Sequence, residues 1–240
     1  MKKDSMYKNL AKYYDFIYQG KDYQKEINYI LELVSKYKKS TGNYLIDVGC
    51  GTGNHLKFLT DKFNCTGLDI NEEMLKIAQS KLEKCEFVKG NMVNFSLQMK
   101  FDIILSLFSS IGYVKTENNL KRTLANLSHH LNEGGLIIIE PWLTKENFRT
   151  GSPHMSTYDS ENLKIARLNI SESRGNVSFF DMHFLIAEKN KPVKHYIDHH
   201  ELGLFPIKLI IDIMEKNNLN TIYKKEEPFN DRGLIIGVKQ

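Results

Sequence analysis

The segment Asp47-Val48-Gly49-Cys50-Gly51-Thr52-Gly53, directly behind Tyr44-Leu45-Ile46, constrains this chain more than any other. A short apolar run ends in an acidic residue, three glycines alternate, and a helix-compatible stretch from Asn54 to Leu59 follows. Strand, tight turn and helix in that order are the unit of an α/β fold. Glycines at such a turn let a ligand lie against bare backbone, where a side chain would collide. The spacing argues against a dinucleotide, whose fingerprint needs glycines at relative positions one, three and six. Counting from Gly49, position six is Asn54; counting from Gly51, it is Leu56. The glycines stand instead at one, three and five, with Asp47 in front.

A carboxylate at Asp47 repels a pyrophosphate and suits a ligand with an ammonium group. S-adenosylmethionine has that ammonium, a cationic sulfonium and no phosphate, so it is the expected cofactor, with Gly49, Cys50, Gly51 and Gly53 as its backbone cradle. Asp69 closes the second apolar run, at the strand end that faces the ligand crevice in this topology. It is expected to accept the two ribose hydroxyls; the alternative is a cap on the next helix. Ile70 and Met74 are placed to wall the adenine, and Asn91 and Met92 to meet its edge, Asn91 offering both a donor and an acceptor. Leu107, with Phe108-Ser109-Ser110, is expected along the methionine side. His55 either touches the cofactor carboxylate or simply fills the first helical turn.

The rest of the chain extends the same pattern. Helices are predicted over Met6–Tyr18 and Tyr23–Tyr37, the second capped by Asp22. Strands at 44–47, 65–70, 85–88, 101–107 and 136–140 alternate with helices at 71–81 and 117–131, which implies a parallel sheet covered on both faces. Asn132-Glu133-Gly134-Gly135 reads as the stop of the last of these helices. After Pro141 the pattern changes to polar–apolar alternation, read as about three antiparallel strands between Leu163 and Leu202. A helix from Pro206 to Lys216 and a hairpin of 220–225 with 234–238 then rejoin the main sheet. The expected division is a cofactor-binding α/β unit of residues 1–140 and 203–240, with the N-terminal helices as a lid, and an inserted antiparallel sheet of 141–202.

Composition excludes several classes. Of the 240 residues 41% are hydrophobic, enough for a sizeable core. The net charge of +4 comes from lysines scattered among acidic residues, with no basic stripe for nucleic acid. No apolar run approaches the ~20 residues of a membrane span, and Met1-Lys2-Lys3-Asp4-Ser5 does not open a signal peptide. The three cysteines are odd in number and unpaired in spacing, the usage of a reducing cytoplasm. His195, His199 and His200 have spacing that invites a metal, but on a strand the last two point to opposite faces, and no metal is expected.

At this point the chain resembles the class I S-adenosylmethionine-dependent methyltransferases, whose sheet has seven strands with the last antiparallel. More narrowly, it is similar to bacterial N,N-dimethyltransferases of nucleotide-linked amino sugars, of the desosamine and mycaminose type. The similar segments are Tyr14-Asp15-Phe16-Ile17-Tyr18, Gly20-Lys21-Asp22-Tyr23, Phe108 to Tyr113, Glu140-Pro141-Trp142, Met182-His183-Phe184 and Asp231-Arg232-Gly233-Leu234. The resemblance implies a sugar amine as methyl acceptor, an inserted sheet that serves substrate binding and dimer formation, and a cofactor contact at Tyr23. The amine must arrive neutral, since its lone pair is the nucleophile. Tyr14 and Tyr113 are the candidates to accept or orient its proton, with Glu140 third. Arg232 is the candidate for the diphosphate, because a guanidinium meets two phosphoryl oxygens at once. His183 and Trp142 are candidate walls of the sugar site, and Tyr14 belongs to it as well. Some positions depart from the family: Tyr113 stands where some members have His, Asn91 where others have Asp, and Ile170 replaces a polar residue of the insertion.

Three other readings compete. A methyltransferase for another small amine or hydroxyl, without a nucleotide handle, shares every cofactor signal. A nucleic-acid base methyltransferase would carry an Asn/Asp-Pro-Pro-aromatic segment where this chain has Ser106-Leu107-Phe108-Ser109. A non-catalytic cofactor-binding module is disfavoured by the intact glycine turn.

Overall fold

The computed structural model describes residues 10–229 and 231–240. Seven strands form the main sheet: β1 (Tyr44–Val48), β2 (Asn64–Asp69), β3 (Glu86–Lys89), β4 (Phe101–Ser106), β5 (Leu131–Ile139), β10 (Leu219–Lys224) and β11 (Leu234–Lys239). Their order is β10-β11-β5-β4-β1-β2-β3. β1 to β5 are parallel, and β11 runs antiparallel to both β5 and β10. This is the class I methyltransferase arrangement expected from the resemblance.

The sheet is central because its strands are apolar on both faces. In β4 all six residues are buried. Ile104 packs with Leu120, Leu124 and Leu127 on one side, while Ile103 and Leu105 pack with Ile27, Ile30 and Leu33 on the other. The side chains alternate across the strand, so a continuous apolar run feeds two cores at once. The covering helices are α2 (Tyr23–Tyr37), α3 (Glu72–Lys81), α4 (Glu117–His129) and α5 (Ile207–Lys216). α2 starts where Asp22 accepts the Lys25 N–H at 2.9 Å. α3 starts where Asn71 Oδ1 accepts the Glu73 and Met74 N–H groups.

Several boundaries differ from the sequence expectation. Of the first predicted helix, Met6 to Asn9 lie outside the described residues; the rest is a 3-10 turn, Ala11–Tyr13, and the short α1 (Tyr14–Ile17). The helix expected from Asn54 closes only one 3-10 turn, Leu56–Phe58, because the chain must enter β2 at Asn64. Gly134 and Gly135 do not stop a helix ahead of a later strand: β5 begins at Leu131 and runs through them. Gly134, at φ +71°, kinks that strand so that its carbonyl accepts the Lys39 and Ser40 N–H groups.

The insertion is a four-stranded antiparallel sheet, β6 (Pro153–Asp159), β7 (Leu163–Arg174), β8 (Val177–Glu188) and β9 (Lys194–Gly203), in chain order. β6 is the strand beyond the three expected: it opens on a proline and keeps mostly exposed side chains, so no apolar alternation marks it. One face of this sheet turns Arg167, Asn169, Phe180, Met182 and His200 toward the main body. The other leaves Met155, Leu168, Ile170 and Leu185 exposed.

Candidate active site

The carboxyl ends of β1, β2, β3 and β4 converge on one crevice, as the topology requires. Gly49 and Cys50 donate their N–H groups to the Leu68 carbonyl at 2.7 and 3.1 Å, which folds the turn over the end of β2. Gly49 sits at φ +85°, and a Cβ there would lie 2.6 Å from Ser110 Cβ. Gly51 donates its N–H to Asp69 Oδ2 and Asn71 donates to Oδ1, both at 2.8 Å. These two bonds hold the Asp69 carboxylate rigid at the mouth of the crevice. Capping of α3 falls to Asn71, so Asp69 does not take the helix-cap alternative.

Asp47 has a different environment. It is 1% exposed, and its Oδ1 has no hydrogen-bond partner among the described residues. Burial pushes its carboxyl up to about 6. A buried, unmet carboxylate oxygen is costly unless a ligand completes it. It lines a small side chamber with Tyr14, Tyr23, Gly51, Asn54, His55 and Leu107. An ammonium-bearing ligand lying on the glycine backbone fits that chamber. His55 is tied to Glu26 (Nε2–Oε2 2.9 Å), which also pairs with Lys21. Burial works against the Glu26 charge, yet these two partners hold its carboxyl below the usual range. Tyr23 packs edge-on against His55 at 4.9 Å, and burial pushes its phenol up to about 12.

The chamber adjoins a cavity of about 870 Å³, with which it shares Tyr14, Gly49, Gly51, Phe108 and Ser110. One part of the cavity is lined by Leu68, Asp69, Ile70, Met74, Asn91 and Met92. It continues under the inserted sheet past His154, Arg149, Asn169 and Arg167, the last donating to the Tyr18 hydroxyl at 2.9 Å. Tyr14 lines both spaces and marks their junction. Burial raises its phenol well above its ordinary value, so it meets a ligand as a neutral hydroxyl. The phenols of Tyr18, Tyr23 and Tyr113 and the Asp69 carboxylate push it in the same direction.

The wall between β4 and β5 carries backbone strain. Phe108 and Ser109 both adopt left-handed conformations, at φ 51° and 62°, a state that costs about 1–3 kcal/mol per residue away from glycine. Glu140 holds the strained turn in place. It is 1% exposed; its Oε2 accepts the Phe108 N–H at 2.6 Å, and its Oε1 takes Arg232 Nε at 2.9 Å and Nη2 at 2.6 Å. The guanidinium lies over the Trp142 ring at 5.9 Å, and the indole N–H donates to Ser178 Oγ at 3.0 Å.

A methyltransferase domain profile matches residues 45–135. The chain is 35% identical, over 95% of its length and 97% of the other's, to a Streptomyces venezuelae dTDP-3-amino-3,4,6-trideoxy-alpha-D-glucopyranose N,N-dimethyltransferase. It is 31% identical to a Streptomyces fradiae dTDP-3-amino-3,6-dideoxy-alpha-D-glucopyranose N,N-dimethyltransferase, over 82% of this chain and 78% of that one. The crystal structure of Streptomyces venezuelae DesVI superposes with a TM-score of 0.89 at 34% identity, covering 97% of this chain and 99% of that one. The chain belongs to the amino-sugar N,N-dimethyltransferase family. It is therefore a class I methyltransferase, and its cofactor is S-adenosylmethionine.

Within this methyltransferase, several expected site residues prove to sit elsewhere or to be engaged already. His183 is turned away from the cavity: Met182, its neighbour on β8, faces in, and His183 stacks on His195 at 5.3 Å on the outer face. Strand alternation makes that unavoidable once Met182 faces inward. Ile170 stands on the same outer face, so it does not shape the sugar site. Gly53 touches neither space; a Cβ there would lie 2.9 Å from Leu82 Cδ1, so its role is close packing of the turn. Cys50 lines the side chamber, and burial raises its thiol well above the ordinary range, leaving its backbone as the useful part. Asn91 already spends its side-chain oxygen on the Val93 N–H at 3.0 Å. Arg232 lines the cavity with its charge met by Glu140, and both Glu140 oxygens are occupied.

Other residues of the site carry little signal in the sequence. Arg149, His154 and Arg167 line the cavity under the inserted sheet, and no local spacing singles them out. The Tyr113 hydroxyl and His200 Nδ1 share a hydrogen bond at 2.7 Å, and His200 Nε2 lies 2.5 Å from Asp198 Oδ2. Asp198 and His200 are two apart on β9, so their shared face is readable once the strand is placed.

Proposed function

We propose that this enzyme transfers methyl groups to the amine of a nucleotide-diphosphate amino sugar. The observation that carries the reading is the polarity of two adjoining spaces that share Tyr14, Gly49, Gly51, Phe108 and Ser110. One part presents the buried carboxylate of Asp47 and the half-buried one of Asp69, suited to a cationic donor; under the inserted sheet stand Arg149, His154 and Arg167, the last also donating to the Tyr18 hydroxyl at 2.9 Å, suited to a diphosphate. The relatives named above, which act on dTDP-linked amino sugars, support the same substrate class.

S-adenosylmethionine supplies, when bound, an electrophilic methyl group on a sulfonium. Asp47 meets its ammonium, Asp69 its ribose, and the backbone of Gly49 and Gly51 its path between them. Leu68, Ile70 and Met74 form the adenine wall, with Asn91 and Met92 at the ring edge. Tyr14, at the junction, orients the amine through a neutral hydroxyl. Little charge develops in a displacement from a cationic donor, so positioning supplies most of the acceleration. Glu140 serves that positioning by fixing both the strained Phe108 turn and the Arg232 wall.

The division of labour follows: residues 1–140 and 203–240 hold the cofactor, and 141–202 close over the acceptor. The exposed row Met155, Leu168, Ile170 and Leu185 supports a homodimer formed through the outer face of the inserted sheet. Three free cysteines support a cytoplasmic setting; no helix among the described residues is long and apolar enough to cross a membrane.

Thermal shift in the presence of S-adenosylhomocysteine tests the nucleotide handle. A nucleoside diphosphate, thymidine diphosphate first, is expected to raise the melting temperature further, and Arg149→Ala or Arg167→Ala to remove that increment. If S-adenosylhomocysteine stabilises and no nucleotide adds to it, the acceptor carries no nucleotide.

A further inference from the structure

We propose that Tyr113, His200 and Asp198 form the route by which the acceptor amine loses its proton. The proposal rests on the amine reading above and names a path that the reading leaves open. Tyr113 lines the cavity from the 3-10 turn after β4. Behind it, β9 supplies His200 and Asp198 from one face, 5% and 1% exposed. The imidazole is stacked on Phe180 at 5.1 Å and 13°, which fixes its plane. The Tyr113 hydroxyl and His200 Nδ1 lie 2.7 Å apart; with the ring proton on Nε2, which sits 2.5 Å from Asp198 Oδ2 as a charge contact outside hydrogen-bond alignment, Nδ1 is the acceptor for that hydroxyl.

Each methyl transfer turns an amine into an ammonium with one more carbon and no lone pair. A second transfer to the same nitrogen requires that ammonium to give up a proton first. The N–H proton passes to Tyr113 Oη as the Tyr113 O–H proton passes to His200 Nδ1. The phenol is thereby regenerated, and the imidazolium that results is held against the Asp198 carboxylate. His200 also borders the cavity, so it returns the proton to water when the product leaves. Tyr113 touches the amine; His200 and Asp198 are positioning residues that act through it. The titratable groups that face the imidazole include Asp198 on its own strand and the Tyr113 phenol on the facing turn; Glu201, next along β9, pairs with Lys115 at 2.6 Å. β8 presents the uncharged Phe180.

The test is the pH profile of the first and second methylation, followed by mass spectrometry with full-length enzyme and a dTDP-linked amino sugar. At neutral pH, Tyr113→Phe and His200→Gln are expected to slow the second transfer by about a hundred-fold. Monomethyl product then accumulates, and the rate recovers at alkaline pH, where the amine deprotonates unaided. Asp198→Asn is expected to slow the second transfer at neutral pH in the same sense, by less than the His200 variant. Unchanged S-adenosylhomocysteine affinity shows that the variants are folded. Tyr113 is partly exposed, so Tyr113→Phe decides between the outcomes even if His200→Gln fails to fold. If the wild type dimethylates and both profiles of Tyr113→Phe match it, the relay is wrong and the substrate reading stands. If the wild type methylates no amino sugar, the substrate reading falls and the relay with it.

Discussion

Asp47 illustrates how a single residue trades stability for binding. Its carboxyl, ordinarily at 3.8, titrates at about 6 because burial opposes the charge. The folded protein therefore holds a proton over a range where the unfolded chain has released it. Stability of the ligand-free protein falls as pH rises from 3.8 to about 6, and the loss is complete above that. Asp47→Asn removes the charge and keeps the shape. It is expected to stabilise the ligand-free enzyme at pH 7 by up to about 3 kcal/mol, seen as a higher melting temperature, while weakening S-adenosylhomocysteine at least about ten-fold by calorimetry. In the wild type the same affinity should decline as pH drops below about 6, where Asp47 takes up its proton. Tyr14 behaves differently. Its phenol is raised well above the usual range by burial, so it is no base at neutral pH. Tyr14→Phe should lower kcat by less than about ten-fold, without changing the shape of the pH profile. A displaced pH profile would make Tyr14 the proton acceptor in place of an orienting group.

At the scale of elements, what the sequence reveals is what lies close along the chain. Asp47, the alternating glycines and Asp69 are legible because strand, turn and strand end follow one another without interruption. β1 and β4 are legible because strands buried on both faces read as nearly continuous apolar runs, and β2 because a short segment closed by Asp69 stands ahead of a helix cap. β6 and the true start of β5 are not, since one is mostly exposed and the other passes through two glycines. Contacts between distant elements are hidden for a further reason. Tyr113 and His200 are 87 residues apart, and Glu140 and Arg232 are 92 apart. No local pattern predicts such meetings. The second pair also changes what a mutation should do. Arg232→Ala leaves the Glu140 carboxylate buried without its cation, which typically costs about 3–5 kcal/mol. A fall in melting temperature should therefore dominate over any rise in KM for the nucleotide sugar. A raised KM at unchanged stability would return Arg232 to the role of diphosphate ligand.

The whole molecule sets two sheets against one cavity. The parallel sheet supplies rigid strand ends, which carry the cofactor residues, and the antiparallel sheet supplies a roof, whose inward row carries Arg167, Asn169, Met182 and His200. Because side chains alternate, the same strands also present an outward row of exposed apolar residues and histidines. One insertion thus lines the cavity with one face and leaves an exposed apolar row on the other. The central claim is the chemistry performed between the sheets. The most direct measurement incubates the enzyme with S-adenosylmethionine and a panel of dTDP-linked amino sugars, and follows product mass. Addition of one and then two methyl groups to a nucleotide-linked amine, with the corresponding free amino sugars unmodified, is the predicted result. Methylation of free amines alone, or of a hydroxyl sugar lacking the amine, would contradict it.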